Sequence, residues 1–205
     1  MSDSSGRWLA RQRRDPFVKD ARADGFRSRA AFKLVELDQR CRLFKPRAVV
    51  LDLGAAPGSW SQVAQDRVGP AGLVIACDLL EIAPLPGVIV IVGDARDDAV
   101  QQRIVAACTG RAIDLVISDM APKLSGIRSR DQAEAIELAD TALTIAAQLL
   151  RSGGQCVVKL FQGDGSQDWV AAARQSFATV RVVKPKASRD ESREVYVVAG
   201  GHVSA

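Results

Sequence analysis

The sequence predicts an open α/β fold: a mostly parallel sheet, doubly wound with helices on both faces. Three observations carry that reading. Short β-branched runs alternate with helical stretches beyond residue 45. A glycine-rich turn follows the first run, and an acid stands at or next to the end of each of the first three. The 205 residues, 47% hydrophobic and 25% charged, suffice for one domain with a single core.

The strand candidates are Ala48–Leu53, Leu73–Asp78, Val88–Val92, Ile113–Ser118 and Cys156–Leu160. Each is a near-continuous apolar run, as parallel strands covered on both faces require. Helices are predicted at Ser59–Arg67, Asp97–Cys108 and Asp131–Leu150. In the last, Ile136, Ala139, Leu143, Ala146 and Leu150 recur at helical spacing, and Gly153-Gly154 is read as its stop. A further helix at about Asp168–Phe177 leads to Val180–Val183, a polar turn and Val195–Ala199. Two strands joined by so short a link must be antiparallel neighbours. Residues 1–45 read as helices, Arg29–Arg40 being the clearer. They form a basic segment ahead of the 46–205 body, within one compact unit.

Charge is unevenly placed. Residues 1–45 hold 12 Lys/Arg against 6 Asp/Glu, and the remainder holds 16 against 18. A basic segment on a near-neutral body points to an anionic partner, with nucleic acid phosphate foremost. Aromatics are only 5% of the chain, so backbone and shape recognition of structured RNA fits better than an extended stacking platform. Arg7, Arg11, Arg13, Arg14, Arg27 and Arg29 are the expected phosphate contacts. The four cysteines are scattered without a C-x-x-C, and His202 is the single histidine, which argues against a metal site. Reduced thiols, no apolar run of membrane-spanning length and no apolar leader point to a cytoplasmic protein without membrane contact. A monomer is the default expectation.

The turn reads Asp52-Leu53-Gly54-Ala55-Ala56-Pro57-Gly58-Ser59-Trp60. Glycines there let backbone approach a ligand and present helix N–H groups to it. The G-x-x-x-G spacing is not the pyrophosphate fingerprint. Asp78 ends the second strand, where a carboxylate can accept ribose hydroxyls, and Gly93-Asp94 closes the third. A ring of Asp52, Asp78 and Asp94 disfavours a polyphosphate and suits a cationic nucleoside, of which the sulfonium S-adenosylmethionine is one. The fourth strand runs into Ser118-Asp119-Met120-Ala121-Pro122. Lys159 lies inside the apolar fifth strand, where a charge is costly unless paired, and Asp119 is the natural partner. Strands four and five are expected to flank the ligand crevice.

The segments Ser28-Arg29-Ala30-Ala31-Phe32-Lys33-Leu34, DLGAAPGSWSQ, ACDLL, SDMAP, VVKLFQG and Ser192-Arg193-Glu194-Val195-Tyr196 occur in this order. Together they resemble the FtsJ-type 2′-O-methyltransferases over almost the whole chain. That resemblance implies a Rossmann-like class I methyltransferase fold, seven-stranded with an antiparallel last strand. It implies a tetrad at Lys33, Asp119, Lys159 and Glu194, and cofactor contacts at Gly54, Gly58, Trp60, Asp78, Asp94 and Asp119. It also implies S-adenosylmethionine as donor, S-adenosylhomocysteine as product, no metal, and a uridine ribose of 23S ribosomal RNA in the large ribosomal subunit as target. Another RNA, a transfer RNA or a messenger-RNA cap, is the alternative. The chain departs from the pattern with Ser59 where a second glycine is frequent, Ala95 where an aromatic is frequent and Lys123 where asparagine is common.

In that scheme Lys159 acts on the 2′-hydroxyl, either as a base if its environment discharges it or by steering the oxygen lone pair. Asp119 orients Lys159, and Glu194 holds Lys33. A nicotinamide dehydrogenase would share the sheet but want G-x-G-x-x-G. A small-molecule methyltransferase would not need the basic segment. A catalytically dead RNA-binding module would not need the tetrad.

Overall fold

Each apolar run becomes a strand because layers on both sides bury it. The computed structural model describes residues 16–123, 125–189 and 191–203. Strands are β1 (Val49–Leu53), β2 (Leu73–Asp78), β3 (Val88–Val92), β4 (Ile113–Ser118), β5 (Leu150–Phe161), β6 (Phe177–Val183) and β7 (Glu194–His202). Helices are α1 (Pro16–Ala23), α2 (Ala30–Cys41), α3 (Ser59–Val68), α4 (Asp98–Ala107), α5 (Arg128–Leu149) and α6 (Ser166–Ser176). They build one seven-stranded sheet in the order β3-β2-β1-β4-β5-β7-β6. β7 lies antiparallel between β5 and β6, and the remaining pairings are parallel.

Alternation along the strands sorts side chains onto two faces. One face packs Val50, Ile117, Val157 and Tyr196 against Leu34 and Leu37 of α2 and Trp60 and Val63 of α3. The other packs Leu51, Val116, Val158 and Val197 against Ile104 of α4, Ile145 of α5 and Trp169 of α6. α2 lies ahead of residue 45, yet Ala31, Leu34 and Leu37 are completely buried in this cover. No helix among the described residues is long and apolar enough to cross a membrane.

Three expectations are corrected. α5 starts at Arg128, three residues early, and ends at Leu149, with Leu150 already extended at φ −70°, ψ 139°. Gly153-Gly154 therefore does not stop the helix. It lies inside β5, where the register slips from Ile113↔Leu150 to Leu115↔Gln155. The intervening Asp114 accepts hydrogen bonds from Val49 N at 2.8 Å and Arg151 Nε at 2.7 Å. Gly153 takes φ +75°, and a Cβ on Gly154 would lie 2.9 Å from the Arg151 carbonyl. The glycine pair thus makes a bulge. The strand order reverses between β1 and β4, one strand nearer the glycine-rich turn than expected, so the crevice of an α/β sheet opens there.

β1 is buried throughout, Asp52 included. Its Oδ2 accepts a hydrogen bond from Ser61 Oγ on α3 at 2.6 Å, while Oδ1 has no partner among the described residues. Burial pushes its carboxyl up to about 7, against the Ser61 hydrogen bond. A carboxyl raised on folding contributes stability below its unfolded value and loses it as pH climbs toward the folded one. Thermal melts of Asp52→Asn across pH 4–8 should therefore depend less on pH than those of the parent. The variant gains on the order of 2–4 kcal/mol relative to the parent over that range. Parallel curves for the two proteins would contradict this.

Candidate active site

Lys159 and Tyr196 face each other across the β5–β7 ladder, and Glu194 lies opposite Phe161 at its end. Residues directly opposed in an antiparallel pair share a face. This face is the one covered by α2 and α3, and α2 brings Lys33 over it. Asp119 follows the last residue of β4. Four elements thus deliver four charged side chains to one point at the carboxyl edge.

The distances define two linked ion pairs. Lys159 Nζ lies 2.8 Å from Asp119 Oδ1 and donates to the Asp119 carbonyl at 3.2 Å. Lys33 Nζ lies 2.6 Å from Glu194 Oε1. Glu194 Oε2 reaches toward Lys159 Nζ at 3.9 Å and joins the pairs. Side-chain exposures run from 8% for Lys159 to 18% for Asp119, so each charge depends on its partner for stabilisation. Burial alone would raise Asp119, but Lys159 and Lys33 overcome it and hold the carboxyl below its usual range. Tyr196 OH donates to the same Oδ1 at 2.6 Å. Burial, then Asp119 and Glu194, drive that phenol well above its ordinary value, so it remains a donor.

Tyr196 is the component that sequence reasoning missed. It stood in a quoted segment but carried no role, because an aromatic in a β-rich run reads as core. It is core, with no exposure, and its ring lies 5.6 Å from that of Trp60 and 5.7 Å from Lys33 Nζ. Only its hydroxyl reaches the site.

The glycine-rich turn lies beside this cluster. Gly54 takes φ +70°, and a Cβ there would run into the Met120 side chain. Gly58 takes φ +103°, and a Cβ would fall 2.8 Å from Leu85 Cδ1 and 2.9 Å from the Arg27 guanidinium. Both positions need glycine for backbone angle and for space. Asp78 receives Ala56 N and Leu80 N, each at 2.8 Å, and so ties the turn to the end of β2. Arg96 grips both oxygens of Asp94, the closest contact being 2.6 Å, and that hydrogen bonding lowers the carboxyl.

Other expected contacts sit differently. The Trp60 side chain is buried, with its indole N–H donating to Ala30 O at 2.8 Å. Its ring is therefore packed into the core. Arg27 spends its guanidinium on three carbonyls, Pro57, Ala83 and Pro84, at 2.7–2.8 Å. It clamps the glycine-rich turn to the loop after β2. Arg29 donates to Ala187 O and stacks over Phe17. Arg7, Arg11, Arg13 and Arg14 lie outside the described residues. A groove of about 300 Å³ runs past Lys33 and Glu194, lined also by Ser28, Arg189 and Ser192.

Comparison with known proteins places the chain in a family. The FtsJ-like methyltransferase family matches residues 26–202. A relative from Azoarcus sp. (strain BH72), named ribosomal RNA large subunit methyltransferase E, is 49% identical over 195 residues and 95% of each chain. One of the same name from Pseudomonas aeruginosa (strain UCBPP-PA14) is 47% identical over 200 residues, 98% of this chain and 97% of its own. Among solved structures, a ribosomal RNA methyltransferase from Plasmodium falciparum superposes with a TM-score of 0.79 at 28% identity. That superposition covers 88% of this chain and all of the other. With a family match across most of its length and relatives identical at nearly half their positions, the chain belongs to the FtsJ-like methyltransferases.

Proposed function

We propose that this protein transfers a methyl group from S-adenosylmethionine to the ribose 2′-hydroxyl of a uridine in 23S ribosomal RNA of the large subunit. The observation that carries the reading is the pair of linked ion pairs, Lys159–Asp119 and Lys33–Glu194, beside the crevice at the β1–β4 reversal. The names of the relatives support large-subunit RNA as the substrate.

The crevice suits the cofactor. Carboxyl groups of Asp52, Asp78, Asp94 and Asp119 stand at or near the ends of four adjacent parallel strands, an acceptor set for a cationic nucleoside and not for a polyphosphate. Asp52 Oδ1 is a buried acceptor still without a partner among the described residues. Gly54 and Gly58 bring bare backbone to the same place. Gly54, Gly58, Asp78 and Asp119 would hold the ligand, with Asp94 sharing its oxygens between Arg96 and the ligand. When bound, S-adenosylmethionine supplies a methyl group on a sulfonium, a leaving group that needs no acid.

The remaining work is orientation of the acceptor and removal of its proton. Positioning of this kind contributes up to about 7–11 kcal/mol. Lys159 Nζ is held by the Asp119 carboxylate and carbonyl, while Glu194 at 3.9 Å is too far for a hydrogen bond, so an ammonium there keeps one N–H for a substrate. Lys159 therefore donates to the 2′-hydroxyl and fixes its lone pair, and Asp119, braced by Tyr196, fixes Lys159. Lys33, held by Glu194, steadies the ribose from the α2 side. The hydroxyl proton leaves past these carboxylates to solvent.

Lys159→Ala should lower methyl transfer by at least about 10²-fold while leaving cofactor affinity by calorimetry essentially unchanged. Near-normal turnover would remove Lys159 from the chemistry. Radiolabelled transfer to purified large subunits, free ribosomal RNA and transfer RNA should place the label on one alkali-resistant uridine linkage of 23S RNA. Preferential labelling of transfer RNA or of a messenger-RNA cap would establish the alternative substrate instead.

A further inference from the structure

Two sets of basic residues near the catalytic edge contrast in their contacts. Arg27 and Arg29 are committed to protein carbonyls. Lys123, Arg128 and Arg130 are exposed and make no ion pair or hydrogen bond among the described residues. All three lie on the path from Asp119 into α5, and Lys123 stands four residues past Asp119.

Two tethers hold that path at the carboxyl edge. Asp131 accepts hydrogen bonds from Ser125 N at 2.7 Å, Ser125 Oγ at 2.6 Å and Gly126 N at 3.2 Å, folding the turn onto the first turn of α5. Gln132 Nε2 donates to Phe161 O at 3.1 Å and Asp164 O at 3.2 Å. It thereby fastens the start of α5 to the end of β5, two residues beyond Lys159. The single acid between Asp119 and Glu134 is Asp131, already consumed by the turn. Three exposed cations that make no salt bridge among the described residues, Arg130 having only the electrostatic influence of neighbouring Asp131, are thus presented beside the end of β4.

We infer that Lys123, Arg128 and Arg130 form a phosphate-binding ledge that grips the RNA backbone beside the target ribose. The inference rests on the reading of the substrate as RNA, and it moves the described part of the phosphate grip from Arg27 and Arg29 to the β4–α5 turn. Charge complementarity with a polyanion is its physical basis, since each phosphate neutralised releases condensed counterions.

The test uses in-vitro-transcribed large-subunit RNA and the full chain. Binding is measured over a salt series for the parent and for Lys123→Ala/Arg128→Ala/Arg130→Ala. The ledge predicts weaker binding by the triple variant and a log–log salt slope shallower by about 2 to 3. Its melting temperature and S-adenosylmethionine affinity should match the parent. The charge-keeping Lys123→Arg/Arg128→Lys/Arg130→Lys should regain affinity and slope. Parent-like binding by the alanine variant, or no recovery in the charge-keeping one, would overturn the ledge. Methyl transfer to purified large ribosomal subunits separates the two readings: a parent that binds RNA through these residues yet transfers nothing to the subunits keeps the ledge and defeats the proposed function.

Discussion

Two ammonium groups and two carboxylates share one largely buried site, and the contacts between them are what make that burial tolerable. Lys159 against Asp119 at 2.8 Å and Lys33 against Glu194 at 2.6 Å sum to zero net charge. Removing one member of such a set strands its partner away from water, at a typical cost of about 3–5 kcal/mol. The four side chains come from α2, the loop after β4, β5 and β7, so the charge balance holds only when all four elements are docked. The Tyr196 hydroxyl adds a bond to the carboxylate that pairs with Lys159. Fold and site are joined through the same few contacts.

Strand geometry explains why this works with so few polar groups. Val157, Lys159 and Phe161 alternate with Val158 and Leu160, so a single lysine can face α2 and α3 while its neighbours seal the opposite core. The antiparallel insertion of β7 then sets Tyr196 directly across from Lys159 and Glu194 at the mouth. A parallel strand in that place would present its carboxyl end instead. The reversal between β1 and β4 opens the adjoining crevice, and Arg27 fastens the glycine-rich turn to the loop after β2.

The strands were legible because parallel runs buried on both faces are nearly pure Val, Ile and Leu, and little else in a sequence looks like that. The antiparallel end was legible from the short link before Val195. Gly153-Gly154 misled because glycine both stops helices and permits bulges. The choice was made by Asp114, 40 residues upstream in the sequence, whose carboxylate holds Val49 N and Arg151 and leaves a bulge as the way across. Composition marked Asp119 and Lys159 as a pair, since a lysine in an apolar strand needs a counter-charge. Lys33 and Glu194 entered only through a resemblance to known sequences, because nothing local says that α2 will fold back over β7. Trp60 was read as a ligand contact from its place in the turn. Tertiary packing draws its ring into the core against Tyr196, which leaves its backbone as the part that could serve as a contact. Arg27 counted as one more cation in a basic segment, whereas its chemistry is that of a carbonyl clamp.

The central claim is that Lys159 and Asp119 act as one unit on the ribose hydroxyl. A double-mutant cycle of Lys159→Met and Asp119→Asn, read in kcat/KM for methyl transfer, addresses it directly. Unitary action predicts that the double variant is no slower than the worse single variant, because either change already dismantles the pair. Losses that multiply, with the double variant slower by the product of the two single effects, would contradict it.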